Sequence, residues 1–147
     1  MHISRRGFLS LSAAAVVACA APAPAKVIKV YRSPSCGCCG GWVDHLRAAG
    51  FEVTVEMIDD LTPVVERMGV PERLRSCHTG EMAGYFVEGH VPAADVERLL
   101  RDRPDARGIA VPGMPAGSPG MEMGDRRDAY QTLLVDRTGG ISVFAVH

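Results

Sequence analysis

The chain is short of net charge, of aromatic side chains, and of any long apolar run beyond its first 25 residues. Its 147 residues carry a formal charge of −1 and include one Trp, three Tyr and four Phe. Without a basic excess, nucleic acid and anionic membrane surfaces are poor partners. Without a later apolar stretch of about 20 residues, no segment past residue 25 is expected to span a bilayer. No internal repeat and no charge block is present. Also missing are a Ser-His-Asp arrangement, a His-Glu-x-x-His pattern, a phosphate-binding glycine loop and a carboxylate pair at useful spacing, so a hydrolase reading has no support.

What the sequence does have begins with a leader. Ser4-Arg5-Arg6-Gly7-Phe8-Leu9 places two arginines before an apolar run that closes in Ala23-Pro24-Ala25. This is the pattern of a twin-arginine export signal with a small-x-small cleavage site. Residues 1–25 are therefore expected to be removed, leaving residues 26–147 as one domain in the bacterial periplasm. Processing at Cys19 to give a lipid anchor is the competing expectation. Arg5 and Arg6 leave with the leader, which shifts the formal balance from −1 to −3.

The pattern of elements predicts an α/β domain. Lys26 to Arg32 is β-branched and apolar and ends in Ser33-Pro34-Ser35, so it reads as a buried strand. Trp42, Val43, Leu46 and Ala49 then recur at helical spacing before Gly50. Phe51 to Ile58 alternates as a second strand, and a strand-helix-strand order implies a parallel pair. A short helix is predicted from Asp60 or Thr62 to Gly69, a third strand over Tyr85 to His90, and a helix over Pro92 to Arg103. Ala110 to Met121 reads as loop, and Tyr130 to Val135 with Ile141 to Val146 as a terminal hairpin. The sum is a small mixed sheet flanked by helices, with a cysteine loop between the first strand and helix, as in thioredoxin-like folds.

The cysteines carry the chemistry. Cys36-Gly37-Cys38-Cys39 contains a Cys-x-x-Cys pair with a third thiol inside it, and Cys77 lies at the turn expected to face that loop. At a helix N-terminus such thiols are deprotonated readily, and thiolate is both a nucleophile and a metal ligand. Free thiols persist poorly in an oxidising compartment, so these four are disulfide-bonded, metal-bound or kept reduced for a redox task. The third loop thiol favours metal, and glycines 37, 40 and 41 are expected to let the loop curl around an ion.

His78 is a candidate fifth ligand or an orienting group, and Met114, Met121 and Met123 offer thioethers from a Gly/Pro-rich segment. Sulfur donors of both kinds favour Cu(I), with zinc as the alternative ion. His45 and His90 read as packing and turn residues, while His147 is a remote ligand candidate. Two further readings stay open: a thiol-disulfide oxidoreductase using Cys36 and Cys39, and a structural zinc domain.

Five blocks carry a resemblance. They are Tyr31 to Cys39, Trp42-Val43-Asp44-His45-Leu46, Ser76-Cys77-His78-Thr79, Glu88-Gly89-His90-Val91-Pro92, and Val111 to Glu122. In this order, across Val27 to His147, they resemble the CopG-type family of exported proteins linked to bacterial copper and heavy-metal resistance. The resemblance implies a thioredoxin-like fold in which Cys36, Cys38, Cys39 and Cys77 gather Cu(I) into a thiolate-bridged cluster. It also implies a role in copper redox interconversion, with other periplasmic copper-handling or redox proteins as partners.

Overall fold

A computed structural model describes residues 25–147. The expected leader, apart from Ala25, and Cys19 lie outside the described residues. Among the described residues seven strands and three helices follow in the order β1 (Val27–Arg32), α1 (Gly37–Ala48), β2 (Glu52–Met57), α2 (Thr62–Met68), β3 (His78–Met82), β4 (Tyr85–Gly89), α3 (Ala93–Asp102), β5 (Ala106–Val111), β6 (Gln131–Asp136) and β7 (Ile141–Val146), with a 3₁₀ turn at Glu72–Leu74. They form one mixed sheet in the order β2-β1-β3-β4-β5-β6-β7.

The first four strands have the thioredoxin-like arrangement. β1 and β2 run parallel, β3 is antiparallel to β1, and β4 is antiparallel to β3. β5 then adds parallel to β4, and β6 and β7 extend the sheet antiparallel, so the expected terminal hairpin is present. The Asp136 carboxylate holds its turn by accepting from the Thr138 hydroxyl and from the Thr138 and Gly140 amides.

Alternation along the strands sorts the core onto two faces. Val87, Ile109 and Val111 pack with Trp42, Val43 and Leu46 of α1 and Val96, Leu99 and Leu100 of α3. Phe86, Ala110 and Val135 point the other way, toward Val65 of α2 and Leu74 of the 3₁₀ turn. Trp42 is fully buried and donates its indole N–H to the Val91 carbonyl at 2.8 Å.

Two strands depart from expectation. Cys77-His78-Thr79 was expected to precede the third strand, yet β3 begins at His78 and makes a hairpin with β4 through Ala83 and Gly84, both at positive φ. Its period-2 signal is hidden because His78, Thr79 and Gly80 are all buried. The predicted loop beginning at Ala110 starts inside β5, where Gly108 is required because a Cβ would collide with the Phe86 backbone and ring.

The cysteine segment is also tighter than expected. Helix α1 starts at Gly37, so Cys38 and Cys39 occupy its first turn and Cys36 its N-cap, in place of an open glycine loop. None of glycines 37, 40 and 41 adopts positive φ. Gly41 serves packing instead: a Cβ there would come within 3.0 Å of the Gly120 Cα, so the absence of a side chain lets the backbone at Gly120 lie against the helix.

Candidate metal centre

Helix α1 and the start of β3 bring four sulfurs together. The Sγ atoms of Cys36, Cys38, Cys39 and Cys77 all lie within 4.8 Å of one another. Cys36 and Cys39 are joined by a disulfide with Cα atoms 5.6 Å apart, while Cys38 and Cys77 are free. The Cys77 sulfur stands 3.4 Å from that of Cys39 and 3.8 Å from that of Cys38, and Cys36 and Cys38 are 3.6 Å apart. Cys39 is buried and the other three are partly open, so the centre is accessible from one side.

A buried carboxylate positions Cys77. Glu88 on β4 accepts the Ser76 amide at 2.5 Å and the Thr79 hydroxyl at 2.7 Å, clamping both flanks of the Cys77-His78 pair. Burial raises the Glu88 carboxyl to about 7 against the stabilising pull of these two bonds. Burial also pushes the Cys77 thiol up to about 11, with Cys38 adding to the shift. A thiol of this kind keeps its proton until a cation displaces it, so metal binding there releases a proton.

Two histidines line the inner wall. His78 is tilted by 33° against Trp42, ring centroids 4.4 Å apart, and is perpendicular to His90 at 4.9 Å. Both histidines are fully buried. Burial lowers His78 to about 3 and lowers His90 as well, so both rings are neutral at ordinary pH. His78 Nδ1 is 3.5 Å from the Cys77 sulfur, and a ring nitrogen of each histidine lies within 4.8 Å of it.

Sequence reasoning thus placed the four cysteines and His78 together but read His90 as a turn residue. Its signal is three-dimensional: His90 Nδ1 bonds the Pro119 carbonyl, 29 residues away. His45 caps α3 by accepting the Ala93 amide, in keeping with a packing role. His147 pairs with Asp95 instead of approaching the cysteines. Met114 and Met123 are 53% and 72% exposed, and Met121 is half-buried. Met114 lines a separate open groove with Pro112, Pro115, Tyr130 and Val146, to which no cysteine contributes.

Fold and site together define a thioredoxin-like protein in which Cys77, just before β3, faces the cysteines at the N-terminus of α1. Two solved structures of copper resistance protein CopG, named as its Form 1 and Form 2, share this architecture. They are 54% and 53% identical to the chain and cover 84% of it, with a TM-score of 0.80 in each case; the matches span 98% and 99% of those chains. The family described as protein of unknown function, DUF411, matches residues 74–121, which include Cys77, His78 and His90. No curated protein matches. This chain belongs to the CopG family of copper resistance proteins.

Proposed function

We propose that the chain is a periplasmic Cu(I)-binding protein of copper resistance, exported on its twin-arginine leader and active as residues 26–147. The observation that carries this reading is the convergence of four cysteine sulfurs within 4.8 Å of one another. Two-electron reduction of the Cys36–Cys39 disulfide by a thiol reductant frees all four as ligands. Close-set thiolates can bridge ions, and they select soft Cu(I) over hard cations. Cys77, held by the Glu88 clamp, closes the set from the far side, and the buried rings of Trp42 and His78 back it on the inner side. Met114, Met121 and Met123 are the accessory thioether ligands of this reading, two of them exposed and Met121 half-buried.

The test is anaerobic titration of the reduced protein with Cu(I) against a competing chelator, with Zn(II) in parallel. Tight binding of more than one Cu(I) that disappears in cysteine variants is the expected result. Firm zinc binding with little affinity for Cu(I) would turn the reading to a structural zinc domain.

A second reading is favoured by one observation, the disulfide between Cys36 at the helix N-cap and Cys39. It makes the protein a thiol-disulfide oxidoreductase with Cys36 as nucleophile. Reduction of insulin disulfides by the Cys77→Ser protein at the wild-type rate would support it.

A further inference from the structure

One buried polar atom beside the cysteines has no partner. His90 is fully buried, and its Nε2 makes no hydrogen bond. An unpaired buried polar atom costs about 1–3 kcal/mol, so its retention calls for a compensating ligand. The opposite nitrogen explains why this one is bare. A carbonyl can only accept, so Nδ1, 2.8 Å from the Pro119 oxygen, carries the ring hydrogen and leaves a lone pair on Nε2.

His78 is arranged in mirror fashion. Its Nε2 faces the Gly89 carbonyl at 2.9 Å and so bears the hydrogen, leaving the lone pair on Nδ1, beside the Cys77 sulfur. Two imidazoles whose outer nitrogens are tied to backbone carbonyls are set up as metal ligands usually are, because that bond fixes the tautomer and the ring orientation.

We infer that Cys77, His78 and His90 form a second copper site, distinct in donor chemistry from the four-cysteine centre and joined to it through the shared Cys77 sulfur. The inference rests on the copper-binding reading above. One ligand atom from each of the three residues, a ring nitrogen in the case of the histidines, lies within 4.8 Å of the others, and the Cys77 sulfur is 3.5 Å from His78 Nδ1. Donors about 2.0–2.3 Å from one ion stand about 3.4–3.8 Å apart, so modest tightening seats a metal among them. The ion is copper: two imidazoles and one thiolate suit both of its oxidation states, whereas an all-thiolate set favours Cu(I) alone. The centre therefore has a sulfur pole built on α1 and a nitrogen pole built on β3 and the start of the α3 connection. Cys77 is the bridge.

The test combines Cu(I) stoichiometry with X-ray absorption at the copper edge on the reduced, fully loaded protein. Wild type is expected to show imidazole scattering beside sulfur. His90→Gln is expected to lose one Cu(I) equivalent and part of that imidazole signal while retaining the remaining copper. Sulfur-only surroundings in wild type would overturn the second site, and so would unchanged stoichiometry and spectrum in a folded His90→Gln protein. If that variant does not fold, the wild-type spectrum decides alone. A wild-type protein that binds no Cu(I) would overturn the copper-binding reading, and this site with it.

Discussion

The molecule builds histidine into two polar clusters, one at the exposed C-terminal end and one in the interior, and they are finished differently. In the first, Asp95 accepts from the Thr132 hydroxyl at 2.5 Å and from His147 Nε2 at 2.8 Å, and the His147 ring stacks on Tyr130. The backbones of Tyr130 and His147 also pair in both directions, so the end of the sheet is tied to α3. In the second, His78 meets the Gly89 carbonyl on one side and the Cys77 sulfur on the other, while His90 is anchored on one side only and a lone pair is left over. A saturated cluster holds structure together. An unsaturated one, retained at a cost in stability, marks where a ligand completes it.

The largest effect is expected where the second cluster meets the core. Trp42→Ala removes the wall behind His78 and should lower unfolding free energy by about 3–5 kcal/mol in chemical denaturation. A loss below about 1 kcal/mol would mean that the wall is not part of the core.

Next comes the carboxylate that clamps Cys77. The Glu88 carboxyl is raised to about 7 in the folded protein from an ordinary 4.5, so the folded state holds the proton more firmly than the unfolded chain. Its contribution to stability is full below about 4.5 and is lost as pH rises through about 7. Glu88→Gln can keep the Ser76 bond through its amide oxygen and meet Thr79 in the reverse sense, its NH2 donating to the hydroxyl oxygen, and it cannot ionise. Relative to wild type, it should therefore gain up to roughly 3 kcal/mol between pH 4.5 and 8. Denaturation midpoints of the two proteins at both pH values measure this, and parallel pH dependence would refute it.

Cys38→Ser should weaken Cu(I) binding on the order of 100-fold, about 2.7 kcal/mol, in chelator competition. Binding of wild-type strength would show that Cys38 is a bystander to the other three sulfurs.

The smallest effect sharpens the contrast from the saturated side. Asp95→Asn should cost about 1–2 kcal/mol of stability and leave Cu(I) stoichiometry unchanged. Lost copper in that folded variant would erase the distinction between the two clusters.

These expectations rest unequally on what sequence alone could reveal. The parallel β1/β2 pair, helix α1 behind Trp42 and the β6/β7 hairpin were legible because each follows from local periodicity and turn residues. The four cysteines were legible as a group because their spacing and their placement on a thioredoxin-like frame point to one spot. β3 escaped because consecutive buried residues leave no alternation to read, and β5 because Gly108 looks like a loop residue until Phe86 is seen to need the space. His90 escaped for a stronger reason. Its turn, Glu88-Gly89-His90, looks structural, and its meaning depends on the Pro119 carbonyl and on a ring nitrogen left without a partner, which are properties of the assembled fold. The pairing of Cys36 with Cys39 was one of several arrangements the spacing allowed.

The meeting of Gly41 and Gly120 gives the centre a mechanical adjustment. A single methyl group at residue 41 would press on the Gly120 backbone at 3.0 Å and lift the segment that carries Pro119. The carbonyl that steadies the His90 ring would move with it. How firmly that imidazole is aimed is thus governed by the thickness of a contact holding no charge, no donor and no ligand, and a graded series of side chains there would act as a shim under the nitrogen pole.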